Sequence, residues 1–517
     1  MEKPTQQTGL SKRLITTIGS VIAALIVSII ILLAALTPWQ KKGAVNPDAT
    51  VTLPNYYMDG MVFQREKPIS VKGTTDADTR LTVTLEDDEH SASATAIADN
   101  DGTFQIQLEA LPAQLTPYTL TIRSGDTVLL TIDKTYIGDV FLAAGQSNME
   151  TNYHDYYANS SDAESNLGGN LTRANLPDTV NDTHIRFLVA SHTASDQTNG
   201  SMKLPLRSYI DKSWLPATGD NAEYLGYLPQ FFAKNLREQH PNVPVGIIQV
   251  AWNGTDITRH VSGGDIYNTH ITPLQGFTIG GVLWYQGESD SFTDDLTYAY
   301  QSNLTLLINQ YRAIFNDKKL PFFIVQLPRY NSGSEHWNII QQAQAAVANT
   351  LDRVYLTVSI DTDRGTDRLI HPMGKEILAK RMAAQWGALL NDDVVPTSPQ
   401  VQELTNDDNA VIVSFVKGSA DELHIRIPRY SLTASVDNPS RPTTESSVDG
   451  FEAAGTDGVF HAATARIRGN TVIITCDDVS NIRQVRYYWE PDPDIDNLLY
   501  NANELPCGPF TISVPQQ

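Results

Sequence analysis

Cysteine is nearly absent: the 517 residues contain only Cys476 and Cys507. Neither a C-x-x-C nor an H-E-x-x-H pattern occurs, which argues against a dedicated zinc site. Two readings of the cysteines stand side by side: one disulfide in a domain outside the cell, or two unpaired buried thiols. Basic residues are also in short supply. The 37 Lys and Arg face 59 Asp and Glu, a net charge of -22. Nucleic-acid binding needs clustered cations on phosphates, so no nucleic-acid partner is expected, nor a polybasic membrane-surface role. An acidic protein suits neutral or bulky substrates, because an anionic one needs a local basic pocket that the sequence does not reveal. Internal repeats and low-complexity tracts are also lacking.

What the chain does have begins at its N-terminus. Leu14 to Thr37 is an uncharged, mostly apolar run of 24 residues. A bilayer core of roughly 30 Å takes about 20 such residues, whereas a secretory h-region takes only about 7–15. An uncleaved transmembrane anchor at 14–37 is therefore expected. Lys3, Lys12 and Arg13 precede the run and Lys41 and Lys42 follow it. The positive-inside bias then leaves 1–13 in the cytoplasm and the bulk of the chain outside the cell membrane.

After a polar tether at 38–50 the hydrophobic pattern takes period two. Leu81, Val83 and Leu85 alternate with polar residues, as do Phe104, Ile106 and Leu108, with the turn-forming "ADNDG" between them. This predicts a β-sandwich domain over 51–137. From Gly138 short apolar runs alternate with helical patterns: Asp139–Ala143, Val245–Ala251, Gly281–Tyr285, Phe322–Leu327 and Val354–Ile360. Leu304, Leu307, Ile308, Tyr311, Ile314 and Phe315 mark one helix, and 374–390 marks another. Strands apolar on both faces and separated by helices predict an α/β domain over 138–392, with a parallel sheet flanked by helices. The polar stretch 151–215 reads as long loops over one face. Beyond it, 393–517 reads as a C-terminal β-domain.

In an open parallel sheet, chemistry collects beyond the carboxyl ends of the strands. There the chain carries Gly145-Gln146-Ser147-Asn148, then "WNGTD" with Gly254, then "QGESD" with Gln286, Gly287 and Glu288, then "DTDRGTDRLIHP" with Asp361, Asp363, Asp367 and His371. Taken singly, each is ordinary turn chemistry, and a lone serine here is a helix N-cap. Together they supply what acyl transfer needs. A serine hydroxyl requires a base, and a histidine works near neutral pH with a carboxylate to orient it. The oxyanion requires donors, here the Ser147 and Gly254 N–H groups and the Gln286 amide. Trp252 and Trp284 have two readings, a sugar-facing surface or core, and core is the commoner fate of apolar residues at strand ends. Asn253-Gly254-Thr255 matches a glycosylation sequon but reads as site backbone, since a glycan there blocks the cleft.

The blocks "IGDVFLAAGQSNME", "VPVGIIQVAWNGTDI", "DIYNTHITPL", "GVLWYQGESD", "LPFFIVQLPRY" and "IHPMGKEILAKRM" occur in this order. They resemble the sialate O-acetylesterase family of the SGNH hydrolase superfamily. The flanking "MDGMVFQREKPISVKG", "FEAAGTDGVFHAATARI", "VRYYWEPDP" and "NLLYNANELPCGPFTIS" resemble its β-domains, so the likeness runs from about Leu53 to Val514. It implies a metal-free, cofactor-free serine esterase that removes acetyl groups from O-acetylated sialic acid or acetylated polysaccharide. Ser147 matches the nucleophile, His371 the base, and Gly254 and Gln286 the oxyanion hole. One position departs: the superfamily often places its acid three residues before the histidine, and here that residue is Arg368. Asp367 is the expected acid, with a serine–histidine dyad as the alternative and Glu288 as a supporting carboxylate. The rival functions are a xylan or other polysaccharide acetylesterase, an inactive glycan-binding protein and a lipid-acting esterase. The last needs an apolar lid that 151–215 does not offer.

Overall fold

The computed structural model describes residues 43–158, 178–190, 213–364, 369–407, 410–431 and 434–515. The expected anchor at 14–37 and Asp367 lie outside them. Among the described residues no helix is long and apolar enough to cross a membrane.

The middle of the chain is built on seven strands: β1 (Thr127–Gly145), β2 (Asp182–Val189), β3 (Leu215–Ala217), β4 (Val245–Ala251), β5 (Gly281–Tyr285), β6 (Phe322–Val325) and β7 (Val354–Thr357). Their spatial order is β7-β6-β5-β1-β4-β2-β3. Neighbours are parallel except for the β2–β3 pair at one edge. Strands β4, β5 and β6 are buried at every position, as expected where helices cover both faces. Four of these helices are α1 (Tyr227–Gln239), α2 (Asp294–Ile314), α3 (His336–Thr350) and α4 (Lys375–Leu390). Period two puts Phe141 and Trp284 on opposite faces of the sheet. Phe141 meets Phe232 of α1 and Trp386 of α4 edge-on, at 4.8 and 5.0 Å between ring centroids. Trp284 reaches the Tyr300 hydroxyl of α2 at 3.5 Å. Helix α2 starts where Thr293 caps it by accepting the Leu296 N–H, with Asp294 and Asp295 in its first turn; both features stabilise a helix start.

Strands β4 and β5 have the expected ends, and β6 and β7 stop two and three residues earlier than expected. The stretch 151–215 is not simply loop. It contains a short helix, Tyr153–Ala158, and all of β2. The apolar core of β2, Ile185 with Phe187 to Val189, is short and enclosed by polar sequence, which hid it. Strand β1 crosses the position 137/138 where two domains were expected to meet. Its first half pairs antiparallel with Gln114–Ser124 of the N-terminal β-domain, and its second half is the central strand of the parallel sheet. The N-terminal alternation is as read: Leu81, Val83 and Leu85 are buried on one face of Arg80–Glu86, and Phe104, Ile106 and Leu108 on one face of Thr103–Leu108.

After α4 the chain forms two four-stranded sheets and one three-stranded sheet. Cys476 and Cys507 are free thiols, so the disulfide alternative falls; burial pushes the Cys507 thiol up. This C-terminal unit grips the loop after β7. Arg381 of α4 makes a two-pronged bond to Asp361 at 2.8 and 2.6 Å, and Tyr500 donates to the same carboxylate at 2.8 Å. Arg329 pairs with Asp363 and also donates to the Pro493 carbonyl at 2.8 Å. All four charged side chains are nearly or fully buried.

Two stability predictions follow from these contacts. At Gly145, φ is +142° and an added Cβ lies 2.1 Å from the Tyr285 carbonyl oxygen. At Gly254, φ is +68° but nothing lies within 4 Å. Gly145→Ala is therefore expected to lower the melting temperature far more than Gly254→Ala, which incurs only the left-handed strain of about 1–2 kcal/mol; equal losses in thermal denaturation contradict the packing described. Asp361→Asn leaves Arg381 buried without its counter-charge and is expected to lose about 3–5 kcal/mol, read as a shifted denaturation midpoint. A loss under about 1 kcal/mol contradicts a structural role for this pair.

Candidate active site

Three strands end level with one another. Gly145 of β1 lies opposite Ala251 of β4 and Tyr285 of β5. The chain leaves each of them at the same point, so Gln146-Ser147, Trp252-Asn253-Gly254 and Gln286-Gly287-Glu288 converge on one edge. Ser147 opens a single helical turn, Ser147–Glu150. The turn is fastened to the second loop by Glu150, which accepts the Asn253 N–H at 2.7 Å.

The fourth loop brings His371. Its Nε2 stands 2.9 Å from Ser147 Oγ, across 224 positions of sequence. With the ring proton on Nδ1, the serine hydroxyl donates to Nε2, the arrangement a nucleophile–base pair requires. Burial holds the imidazole down to about 4, helped by the positive charge of Lys375. His371 is therefore neutral at pH 7 and able to take a proton. Its Nδ1 finds no acceptor among the described residues.

The N–H groups of Ser147 and Gly254 donate to no acceptor among the described residues, which leaves them available to an oxyanion. Gln286 does not match its expected role. Its side chain is fully buried, and its amide nitrogen donates to the Thr255 carbonyl at 3.0 Å and to Asp290 at 2.5 Å. Asp290 in turn accepts the Ile257 N–H at 3.1 Å. Gln286 thus braces the second loop against the third from beneath, and its N–H groups are spent there. Position in the motif could not reveal this, because the direction of an amide depends on partners remote in sequence.

The acids divide similarly. Asp361 and Asp363 are bound by Arg381 and Arg329. Glu288 is 1 % exposed and accepts from Asn148 Nδ2 at 2.5 Å; burial raises it to about 7. It supports the residue next to Ser147 rather than His371 directly. Trp252 and Trp284 are 2 % and 0 % exposed, so they are core and not a sugar platform.

Two residues have contacts to which the sequence assigns no role. Asn148 donates to the Ile370 carbonyl at 2.7 Å, and Lys375 donates to Asn148 Oδ1 at 2.9 Å and to the Pro372 carbonyl at 3.0 Å. The signal for Lys375 was present: a lysine in the first turn of α4, where the helix dipole disfavours a cation, four residues after the histidine.

With this geometry in place, the likeness to known proteins becomes specific. Residues 137–386 match the carbohydrate esterase family described as sialic acid-specific acetylesterase. A sialate O-acetylesterase of Pongo abelii is 26% identical over 301 residues, covering 49% of this chain and 53% of that protein. The Homo sapiens sialate O-acetylesterase is 24% identical over 383 residues, covering 63% and 69%. The chain therefore spans about half the length of the first and just over two thirds of the second. Over nearly the whole chain it is similar to the crystal structure of a carbohydrate acetylesterase from Xanthomonas citri, at 28% identity and a TM-score of 0.72, covering 90% of this chain and 100% of that one. By the family match over residues 137–386, these relatives and the ordered blocks around Ser147 and His371, the chain is similar to the sialate O-acetylesterase family of carbohydrate esterases.

Proposed function

We propose that the protein is a carbohydrate O-acetylesterase with an SGNH-hydrolase-like catalytic domain, and that Ser147 is its nucleophile. The observation that carries this reading is the 2.9 Å contact between Ser147 Oγ and a buried, neutral His371. His371 Nε2 takes the hydroxyl proton as Oγ bonds to the acetyl carbonyl carbon. The carbonyl oxygen, now negative, is received by the N–H groups of Ser147 and Gly254. As the tetrahedral species collapses, the C–O bond to the sugar breaks and His371 returns the proton to the departing sugar oxygen. Water then attacks the acetyl-serine with His371 again as base, and acetate leaves. No metal or cofactor enters these steps. Asp367 is the proposed acid on Nδ1.

The curated relatives carry the name sialate O-acetylesterase, which supports O-acetylated sialic acid as substrate. A second reading has an observation of its own: the net charge of -22 suits an acetylated neutral polysaccharide better than an anionic sugar. The apolar run 14–37 supports a further proposal, a single-pass anchor that holds the catalytic domain outside the cell membrane.

Acetate release from O-acetylated sialic acid and from acetylated xylan, measured in parallel, tests the activity and ranks the substrates. Ser147→Ala is expected to lower kcat at least about 10³-fold; equal release by both proteins contradicts the serine mechanism. A base held near 4 stays deprotonated through neutral pH. The profile of kcat/KM is accordingly expected to stay flat as pH falls from 7 through 6.5, and to drop only on approach to the histidine's lowered pKa. An acid limb at about 6.5, the ordinary imidazole value, contradicts a buried neutral base.

A further inference from the structure

Beneath Ser147 and His371 lies a polar network that no step above uses. Lys375 is fully buried in the first turn of α4. Its Nζ has three protons and three acceptors: Asn148 Oδ1 at 2.9 Å, the Tyr156 hydroxyl at 2.7 Å and the Pro372 carbonyl at 3.0 Å. Asn148 passes the connection on, donating to Glu288 Oε1 at 2.5 Å and to the Ile370 carbonyl at 2.7 Å. Ile370 and Pro372 are the residues on either side of His371. The carbonyls on either side of His371 are therefore held by three side chains: Asn148, adjacent to Ser147 in sequence; Tyr156, whose hydroxyl donates to the Pro372 carbonyl at 3.1 Å; and Lys375, which carries a charge.

We propose that Lys375, joined through Asn148 to Glu288, is a positioning residue that fixes the His371 loop against Ser147 and sets the electrostatic field in which the imidazole works. The inference rests on the reading of His371 as base. A buried lysine is costly, and retaining a geometry alone does not require a charge, since an uncharged donor can hold a carbonyl. A cation close to an imidazole disfavours its protonation, and the Lys375 charge acts on His371 in that sense. The titratable groups around the lysine come from three elements: the neutral Tyr156 phenol from the helix Tyr153–Ala158, Glu288 after β5, and on α4 itself Glu376, which Arg364 pairs at 2.9 Å. Glu288 and Glu376 both favour the charged lysine, while burial opposes it and lowers it to about 7. Lys375 therefore gains its charge as pH falls below neutrality, the range in which His371 would otherwise begin to take up protons.

The test uses the full chain in mild detergent, with histidine-labelled protein for NMR and the His371 signal assigned by its loss in His371→Gln. Two variants separate charge from contact. Lys375→Met keeps most of the stem and removes the charge. Tyr156→Phe removes one acceptor of Lys375 and one donor to the Pro372 carbonyl, and leaves the charge. In the wild type, His371 is expected to stay neutral to well below pH 6. Lys375→Met is expected to raise its titration, and the acid limb of kcat/KM with it, by about one pH unit or more. Tyr156→Phe is expected to leave both within a few tenths of a unit. The inference is overturned if His371 titrates near 6.5 in the wild type, if Lys375→Met leaves it unmoved, or if Tyr156→Phe moves it as far as Lys375→Met does. Should Lys375→Met fail to fold, the wild-type and Tyr156→Phe titrations still decide. Failure of the wild type to release acetate from any acetylated sugar defeats the esterase reading, while the NMR titration judges the role of Lys375 independently.

Discussion

The site depends on one steric constraint, the level ending of β1, β4 and β5 at Gly145. Only a residue without a Cβ can pass the Tyr285 carbonyl there, and the backbone does so at a φ of +142°. That passage turns the chain sharply enough for Ser147 to stand above the sheet edge with the second and third loops beside it. The parallel sheet places its loops in pairs around the central strand, so residues more than a hundred positions apart meet without any long excursion of the backbone. The serine two residues after the glycine is thus neither a simple cap nor an isolated turn residue. Its partner is a histidine on a loop from the far side of the sheet.

Below that edge the interior is unusually polar. Gln286 is bonded to Asp290, Asn148 links Glu288 to Lys375, and Arg381 and Arg329 pair with Asp361 and Asp363 of the loop after β7; all are buried. Groups of this kind are unfavourable to bury and contribute little net stability even when paired. What they contribute is a fixed arrangement: each loop at this sheet edge is fastened to another such loop or to the C-terminal unit. Tyr500 and the Pro493 carbonyl, both from that unit, hold Asp361 and Arg329. The C-terminal strands therefore complete the support of the histidine loop. On the other side, the long β1 makes the N-terminal sheet continuous with the catalytic one.

Much of this was legible beforehand, for physical reasons. Strands buried on both faces write continuous apolar runs, so β4 and β5 could be read residue for residue. The Leu81-Val83-Leu85 alternation could belong only to a half-buried strand. Ser147 and His371 stood out because reactive side chains after strand ends gather at one edge of a parallel sheet. Other features depend on partners that no local pattern encodes. The apolar core of β2 was too short to rise above its polar surroundings. The continuity of β1 across two units left no mark, since a strand that changes partners does not change its alternation. Gln286 was assigned to the cleft because motif position gives a residue's place but not the direction of its amide. Asn148 and Lys375 are recognisable only once the carbonyls of Ile370 and Pro372 are in view.

The central claim is that an acetyl group passes through Ser147. The most direct measurement is a rapid acid quench of the protein with excess of an activated acetyl ester, followed by peptide mass spectrometry. The account predicts a peptide containing Ser147 heavier by one acetyl group, formed at early times and absent in Ser147→Ala. Turnover of the ester with the acetyl group on another residue, or with none on the protein at any time, would contradict it.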